Sequence, residues 1–568
     1  MEHSPWFCES LQRMSSAPRA SVSSPVPSST ARHTLASDPS THHSASTLDL
    51  NAAHRPQGDV PAAADRLSAQ PRSKNFVLLT ASGICSLIVL DTNVVAVSLP
   101  SIARTFHAGF SDVEWVVSAY MVAFASCLLA AGGLADRFGR KRMLMIGLAV
   151  FALASIGCGA APSVLALNIA RVVKGVGAGT MLPAALAIIA HTFQDEHERA
   201  RAWAFWGACM GIATTIAPLV GGAITQYAGW RWIFLMNVPI CATLAWCSKQ
   251  AMTESKNHDA VSIDKIGSVA FALMLAFGIW ALIGAESNGW SSPATLSRAG
   301  ASALLLMLFI VVERKAAHAM IDLSLFRGRR FVGAVLGMFG YAACAQVMMT
   351  FLPLYLQNAF GLPAVEAGLG MLPFALAMIV GPFIGAALLR HCSISWVLVI
   401  GLLLIGSGNV FTGSVAQSER YLWVTIGMVL TGLGAGVMNG NTQKAIVALV
   451  ASTRTGMASG ISTTTRFMAI VMAVGVLGGV LAGGTHAAFS TQLATQPGLA
   501  GVVDDSFISS VLSGDAASAV AQAPEHLRAV LTALARNSFA HGFAEAMWVA
   551  GGLALALAAA VWGFAARK

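Results

Sequence analysis

The chain has 568 residues, of which 56% are hydrophobic and only 11% are charged, and its mean hydropathy is +0.67. Soluble domains carry about 25% charged residues, so this composition excludes a large soluble protein and indicates a polytopic membrane protein. The formal net charge of +9 is also typical of nucleic-acid-binding proteins, but here the cations cluster at the ends of apolar runs. That placement indicates membrane topology, with lipid headgroups rather than nucleic acid as the partner.

The first segment, residues 1–73, is rich in Ser, Ala, Pro and His and has no sustained apolar period. It can bury too little surface to offset the entropy of ordering, so we predict a disordered cytoplasmic tail. A start codon assigned too far upstream would produce the same feature. The nine cysteines show no CxxC pairs or Cys/His ligand spacing, so we expect packing residues rather than disulfides or a metal site.

Apolar runs near the roughly 20 residues that cross ~30 Å of hydrocarbon follow one another from residue 74 onward. They predict an all-α chain of about fourteen spans, at 76–99, 113–134, 143–161, 164–190, 202–225, 231–249, 265–285, 296–312, 331–356, 366–389, 395–414, 421–450, 457–483 and 542–565. We divide it into a six-helix bundle at 74–250, two extra helices with their loops at 251–330, and a second bundle at 331–568, which includes a partly helical extracytoplasmic loop at 485–541.

Lys and Arg residues are concentrated in alternate loops between these spans. Because cations flanking membrane helices mark the cytoplasmic side, both termini are predicted to be cytoplasmic, in a multi-pass protein of the cell (inner) membrane. A short repeat supports the helix count: Gly175-Val-Gly-Ala-Gly-Thr-Met181 recurs as Gly432-Leu-Gly-Ala-Gly-Val-Met438. The pair Gly221-Gly222 recurs at the same offset, as Gly478-Gly479. The repeat indicates two homologous six-helix halves, as in transporters that work by alternating access.

The stretch from Gly132 to Leu144 reads Gly-Gly-Leu-Ala-Asp-Arg-Phe-Gly-Arg-Lys-Arg-Met-Leu and joins two predicted spans. It resembles the loop signature of the major facilitator superfamily, G-G-x-L-A-D-R-x-G-R-K-x-x-L. The resemblance implies that fold, and a loop that governs the conformational switch through contacts across the two halves. A merely basic topogenic loop would explain the cations but not the Gly and Asp spacing. The residues assigned to this switch loop are Gly132, Gly133, Asp136, Arg137, Gly139, Arg140 and Lys141.

Asp91 lies within the first predicted span, where an ionised carboxylate costs several kcal/mol unless it is paired, hydrated or protonated. Such a group can exchange protons; the alternative is a structural Asp that reaches headgroups or bonds to Thr92 or Asn93. Its surroundings, Leu90-Asp-Thr-Asn-Val-Val-Ala-Val-Ser-Leu-Pro100, resemble the first-helix signature of the fourteen-helix drug:proton antiporters, L-D-x-T-x-V-x-V-A-L-P. Asn93, Ala96 and Ser98 depart from it.

Arg171, together with Leu167, Gly175 and Gly177, resembles the superfamily signature L-x-x-x-R-x-x-Q-G-x-G, in which the Arg is implicated in proton transfer. A guanidinium stays charged, so Arg171 is predicted to tune a carboxylate rather than to carry the proton. Lys174 stands where the family usually has Gln, on the same helix face as Arg171. The two cations would lower the pKa of any acid between them; the alternative is that Lys174 extends to an interface.

The fifth predicted span resembles the antiporter signature G-x-x-x-G-P-x-x-G-G, with Ala213 and Ala217 in place of two glycines. A bendable helix of this kind can gate between the halves, although ordinary small-residue packing would use the same residues. The residues assigned to the gate are Gly211, Pro218, Gly221 and Gly222. The run that follows, Trp230 to Pro239, resembles W-R-W-I-F-L-I-N-V-P of the fourteen-helix group.

Substrate contacts are predicted in the second half. Arg466 lies in an apolar run, where it pairs with either a substrate anion or backbone carbonyls. A Met- and Phe-rich span around residues 338–351 offers a soft surface for varied apolar ligands, or else a lipid-facing side. The residues assigned to substrate binding are Gln346, Met349, Phe351 and Arg466.

The resemblance implies a secondary transporter that exchanges an incoming proton for an outgoing lipophilic substrate, cationic or not. No phosphate-cradling loop, HExxH or nucleophile elbow is present in the sequence, so we expect neither an enzyme nor ATP-driven transport, and no cofactor. Two alternatives stay open: an exporter of one specific metabolite, and a transport-inactive membrane sensor or scaffold. The sequence does not identify a periplasmic adaptor.

Overall fold

The computed structural model describes residues 73–256, 264–315, 323–418, 420–450, 455–495, 499 and 502–566. The predicted tail therefore lies outside the described residues, apart from Ser73. In chain order the first α-helices are α1 (Lys74–Phe106), α2 (Phe110–Phe138), α3 (Arg140–Gly159), α4 (Val164–Thr192), α5 (Glu196–Tyr227), α6 (Trp232–Leu235), α7 (Asn237–Ala251), α8 (Lys265–Asn288) and α9 (Pro293–Lys315).

The second part of the chain begins with a 3-10 turn, Leu323–Arg327, and contains one π-helical segment, Ala342–Gln346. Its α-helices are α10 (Arg329–Tyr341), α11 (Met348–Asn358), α12 (Ala364–Gly370), α13 (Leu372–Leu388), α14 (Ile394–Val415), α15 (Tyr421–Met438), α16 (Asn441–Val447), α17 (Thr455–Thr495), α18 (Asp505–Ser513), α19 (Ala516–Gln522) and α20 (Glu525–Ala566).

Within the described residues, fourteen helical stretches are long and apolar enough to cross a membrane, which confirms the predicted count. Four of them are interrupted: α6–α7, α10–α11, α12–α13 and α15–α16 each form one span. The span predicted at 421–450 is confirmed as Tyr421–Val447, although its helix is not continuous. It breaks at Gly440, whose φ of +80° suits a residue without a Cβ atom.

The segment predicted as a partly helical outer loop, 485–541, is helical over most of its described residues. Helix α17 continues to Thr495 and α20 already begins at Glu525, so the predicted start of the last helix, residue 542, is too late. Between them, the carboxylate of Asp504 caps α18 by accepting a hydrogen bond from the backbone N–H of Phe507 at 2.8 Å. This bond and the Ser506 hydroxyl hold the pKa of Asp504 below its usual range.

The repeated glycine motif does the same packing work in both halves. In α4, a Cβ on Gly175 would strike the Tyr120 carbonyl of α2, and one on Gly177 would strike Phe151 of α3. In α15, Gly432 meets the Phe374 carbonyl of α13, and Gly434 meets Gly401 of α14. Each motif thus wedges its helix between two neighbours, and only glycine permits this approach on both sides.

The two halves meet toward one face of the bundle. We name the faces by their turns: the Gly139 end holds the α2–α3 turn, and the His107 end holds the α1–α2 turn. Hydrogen bonds between the halves lie toward the His107 end, from Gln357 to the Val97 carbonyl at 3.1 Å and from the Val365 N–H to Gln226 at 3.1 Å. The segment that carries α18 also reaches this end, where Arg104 donates to the Gly514 carbonyl.

The outer surface of the bundle is apolar. Large side chains such as Leu153, Phe383 and Leu422 are about 70% exposed, at 68%, 75% and 72%. Helix α9 packs on α8 and presents Leu304 to the outside in the same way, while α8 itself packs on α2 and α17. Apolar exposure of this extent marks a surface that faces lipid.

Candidate functional site

A fully buried ion cluster lies where α1, α4 and α7 meet. Asp91 of α1 is 2% exposed, and its carboxylate receives three donors. Arg171 Nη1 lies 3.2 Å from Oδ2, while Lys174 Nζ lies 2.5 Å and Asn237 Nδ2 2.8 Å from Oδ1. Arg171 and Lys174 come from successive turns of α4, so the sequence prediction that they share a face is confirmed.

Both cations are also held by groups other than Asp91. Arg171 donates from Nε to the Val116 carbonyl at 2.8 Å, and its guanidinium lies 4.3 Å from the centre of the Tyr120 ring. Lys174 Nζ lies 4.6 Å from the Phe151 ring. Aromatic faces attract cations more strongly where water is excluded. The cluster therefore carries two cations and one carboxylate in a dry environment.

The geometry bears on the sequence alternatives for Lys174 and Asp91. Lys174 is 0% exposed, so the interpretation that it extends to an interface is wrong. The Asp91 carboxylate bonds neither Thr92 nor Asn93, both of which donate to backbone carbonyls, and its role in proton coupling stays a prediction. Asn237 was missed, although it stands in the Trp230–Pro239 run whose pattern was recognised.

In the switch loop, Gly139 adopts φ +110° between α2 and α3, as the predicted reversal requires. Asp136 accepts two hydrogen bonds from Arg140, at 2.9 and 2.7 Å. The carboxylate of Glu254 accepts from the backbone N–H groups of Lys141 and Arg142 at the start of α3. These contacts do not reach the second half, since Glu254 belongs to the linking segment, so the predicted role of the loop across the halves stays a prediction. Gly132 and Gly133 are half-buried in α2, and Arg137 is exposed.

The assigned gate residues of α5 fall into two groups. Gly221 packs against Val94 of α1, whereas Gly222 touches the Ala364 carbonyl of α12 in the other half. Pro218 belongs to the second group, because its carbonyl lies 2.6 Å from where a Cβ on Gly368 of α12 would sit. A Cβ on Gly211 would meet nothing within 4 Å. Three of the four residues therefore lie at close helix contacts, and two of these join the halves.

Two of the residues assigned to substrate binding are in direct contact. Arg466 of α17 donates from Nε to Gln346 Oε1 at 2.6 Å, and its guanidinium lies 5.7 Å from the Tyr341 ring. Met349 is 6% exposed and Phe351 1% exposed, so the lipid-facing alternative for this span is wrong. Arg466 pairs with a side chain here rather than with backbone carbonyls.

A π-helical turn positions Gln346 at the end of its segment. The wide turn displaces the local hydrogen bonds, and Asn409 of α14 donates to the Cys344 carbonyl at 2.7 Å. Thr431 of α15 donates to the Asn409 amide oxygen at 3.1 Å. The segment is thus tied to two further helices.

A chain of ring contacts joins the ion cluster to Arg466. Tyr120, under the Arg171 guanidinium, stacks on Phe124 of α2 with centroids 6.0 Å apart. Phe124 packs edge-on against Phe467 of α17 at 4.3 Å. This contact crosses from one half to the other, and Phe467 adjoins Arg466. None of the three rings was singled out from the sequence.

The fold and this buried cluster define a polytopic transporter built from two related helix bundles. The family model of the Major Facilitator Superfamily matches residues 81–475. The chain belongs to that superfamily, which is a family of transporters rather than enzymes. Among the described residues, no group of three or more His, Cys, Asp or Glu side chains comes together as a metal site.

Two relatives and one solved structure locate the chain further. It is 31% identical to the multidrug resistance protein Stp of Mycobacterium tuberculosis, over 74% of this chain and 78% of that one. It is 29% identical to the multidrug efflux pump LfrA of Mycolicibacterium smegmatis, over 85% and 94%. A bacterial homologue of the human lysosomal transporter Spinster, in an inward-facing and occupied conformation, matches with a TM-score of 0.58 at 16% identity, over 88% and 98%.

Proposed function

We propose that this protein exports lipophilic drugs or related small molecules in exchange for protons, by alternating access. Its relatives named as multidrug resistance and efflux proteins support the substrate class. The observation that carries proton coupling is the contact between Asp91 and Lys174, 2.5 Å apart and fully buried. Such an intramembrane ionisable pair is costly to keep unless it serves transport. No cofactor takes part, and the proton gradient supplies the driving force.

The pair is the unit that gains and loses one proton. Arg171 stays protonated at any accessible pH, so the exchangeable proton belongs to Asp91 and Lys174 together. With two cations on one carboxylate, the loaded cluster has an unbalanced positive charge in a dry site. Loss of one proton leaves a balanced Asp91–Arg171 pair and removes the cation that ties α4 most closely to α1. Protonation thereby changes the packing of α1, which touches α11 of the other half.

The contacts between the halves supply the alternating element. Positive charges of the loops support a cytoplasmic Gly139 end and cytoplasmic termini in the cell membrane. The halves meet toward the His107 end, at Gly222 with Ala364 and at Gln357 with Val97. The protein is then closed toward the outside, and the transport cycle requires these contacts to separate. Release of substrate and uptake of a proton occur in the opposite state.

The test measures accumulation of neutral, cationic and acidic lipophilic dyes in energised cells that lack their own pumps. Wild-type protein should lower accumulation of at least one dye, and both Asp91→Asn and a protonophore should abolish this effect. Asp504→Asn, which changes an exposed carboxylate outside the spans, is the matched control and should export normally. Efflux that survives the protonophore would contradict proton coupling. Wild-type protein that lowers the accumulation of none of the dyes would contradict drug export.

A further inference from the structure

The charged side chains at the middle of the spans carry more positive than negative charge. Arg466 lies about 16 Å along α17 from Thr455, at 1.5 Å per residue, and so near mid-depth of a ~30 Å hydrocarbon layer. In the ion cluster, Asp91 already faces two cations. These four side chains therefore comprise three cations and one carboxylate, while another buried carboxylate, Glu114, lies near the start of α2. A further cation entering the interior would be repelled, whereas an anion would be attracted.

Arg466 has hydrogen-bond donors that no described residue uses. Its Nε is taken by Gln346, but the two Nη groups form no hydrogen bond or ion pair with any described residue. Tyr341, beneath the guanidinium, is 1% exposed, and its hydroxyl likewise has no partner among the described residues. A buried donor without an acceptor is costly, and so is an intramembrane guanidinium without an anion. Both groups lack the same kind of partner, a hydrogen-bond acceptor with negative charge.

The surroundings of Arg466 select an aromatic partner. The next residue, Phe467, packs against Phe124 at the contact between the halves, and Tyr341 adds a third ring. Gln346 fixes the orientation of the guanidinium by holding Nε, so the Nη edge remains available for a two-point contact. That planar edge matches a carboxylate, which accepts two parallel hydrogen bonds from it.

We propose that Arg466, with Tyr341, binds the carboxylate of an aromatic acid, and that aromatic acids are the preferred substrates of this exporter over lipophilic cations. The inference rests on the export function proposed above and names its substrate class. Gln346 is a positioning residue, and the π-helical turn tied by Asn409 holds it in place. Asp91, neutralised by its own partners, takes no part in recognising a cationic drug.

The test measures equilibrium binding to the purified full-length protein in lipid nanodiscs, with no proton gradient. The probes are 1-naphthylacetate and 1-naphthylmethylammonium, which share a ring system and differ in charge. Wild-type protein should bind the acid at least about tenfold more tightly than the amine. The amine cannot accept the two charge-assisted hydrogen bonds that the Arg466 guanidinium donates to a carboxylate. Arg466→Gln should weaken acid binding by about tenfold or more and leave amine binding nearly unchanged.

Two further variants separate charge from shape. Gln346→Glu places a carboxylate against Arg466 Nε, so it should weaken acid binding and strengthen amine binding. Lys444→Gln removes an exposed cation of the same half, on α16, and should change neither. If Arg466→Gln does not yield folded protein, Gln346→Glu decides alone.

Equal affinity of the wild type for the two probes, binding of neither probe, or equal losses of both in Arg466→Gln would overturn the inference. These outcomes are distinct from failure of the proposed function. Acid binding that persists in a protein showing no proton-driven export refutes the export cycle, while export without any charge preference in binding refutes only the substrate class.

Discussion

Replacement of Asp91 by Asn tests the ion cluster most directly. The two side chains have almost the same shape, so the change removes the negative charge and little packing. Arg171 and Lys174 would then be buried with no counter-ion, and both are at most 1% exposed. Breaking a buried pair in this way costs about 3–5 kcal/mol in free energy of unfolding. Tyr120 and the Val116 carbonyl still hold Arg171, which places the expected cost toward the lower end.

Lys174→Gln should be far milder, because it leaves Asp91 paired with Arg171 and supported by Asn237. A Gln amide can still donate to the carboxylate, so the cost is the difference between a charged and a neutral hydrogen bond, about 1 kcal/mol. The double variant, Asp91→Asn with Lys174→Gln, removes one of the two cations that Asp91→Asn leaves without a counter-ion. Its cost should be smaller than the two single costs together, with a coupling of about 1–3 kcal/mol.

The assay is equilibrium unfolding of the purified protein by detergent titration, followed by circular dichroism, for the wild type and three variants. Proton-driven export at several pH values is measured in parallel. Because the proposed exchangeable proton is shared by Asp91 and Lys174, Lys174→Gln should also lose proton-driven export. If Lys174→Gln destabilises as much as Asp91→Asn, or if the two costs simply add, then the carboxylate is not shared by the two cations and the reasoning fails.

Three other predictions concern the scaffold. Gly222→Ala should impair export and expose the His107 end to labelling, because a Cβ there meets the backbone of α12; Gly300→Ala, in open space on α9, should do neither. Asn409→Ala should cost about 1–3 kcal/mol of stability in thermal unfolding, since it leaves the buried Cys344 carbonyl without its donor; an unchanged melting temperature would contradict the role given to that bond. The pKa of Asp504 is lowered in the folded state, so its cap stabilises α18 above the ordinary aspartate pKa and is lost as the pH falls through the lowered value. Hydrogen exchange of the α18 amides should therefore accelerate at acid pH in the wild type. It should be fast at all pH values in Asp504→Ala and slow at all of them in Asp504→Asn, whose amide still caps the helix.

Much of the fold could be predicted because a membrane helix is recognisable from a continuous stretch of its own sequence. Each span needs a continuous apolar stretch, and each turn at the lipid surface collects charges, so runs of neighbouring residues sufficed for the fourteen spans. The same holds for the turn at Gly139, whose backbone conformation only glycine adopts easily. The predicted helix boundaries were wrong where a helix continues beyond the membrane. Helix α20 starts at Glu525, in a polar stretch before its apolar run. A helix can continue from lipid into water, so a change in hydropathy does not mark where the helix starts.

The sequence by itself determined the class of protein and its number of spans, and it singled out Asp91 as the candidate for proton coupling. Only the tertiary structure decided what that residue touches. Asn237 lies far from Asp91 along the chain, and the Phe124–Phe467 contact joins the two halves, so no local pattern records either. Lys174 illustrates the difference: its position on α4 was readable, but burial or exposure depended on which helices surround α4. The hydropathy of a segment determines whether it enters the membrane, whereas packing between helices distant in sequence determines which of their faces meet in the membrane.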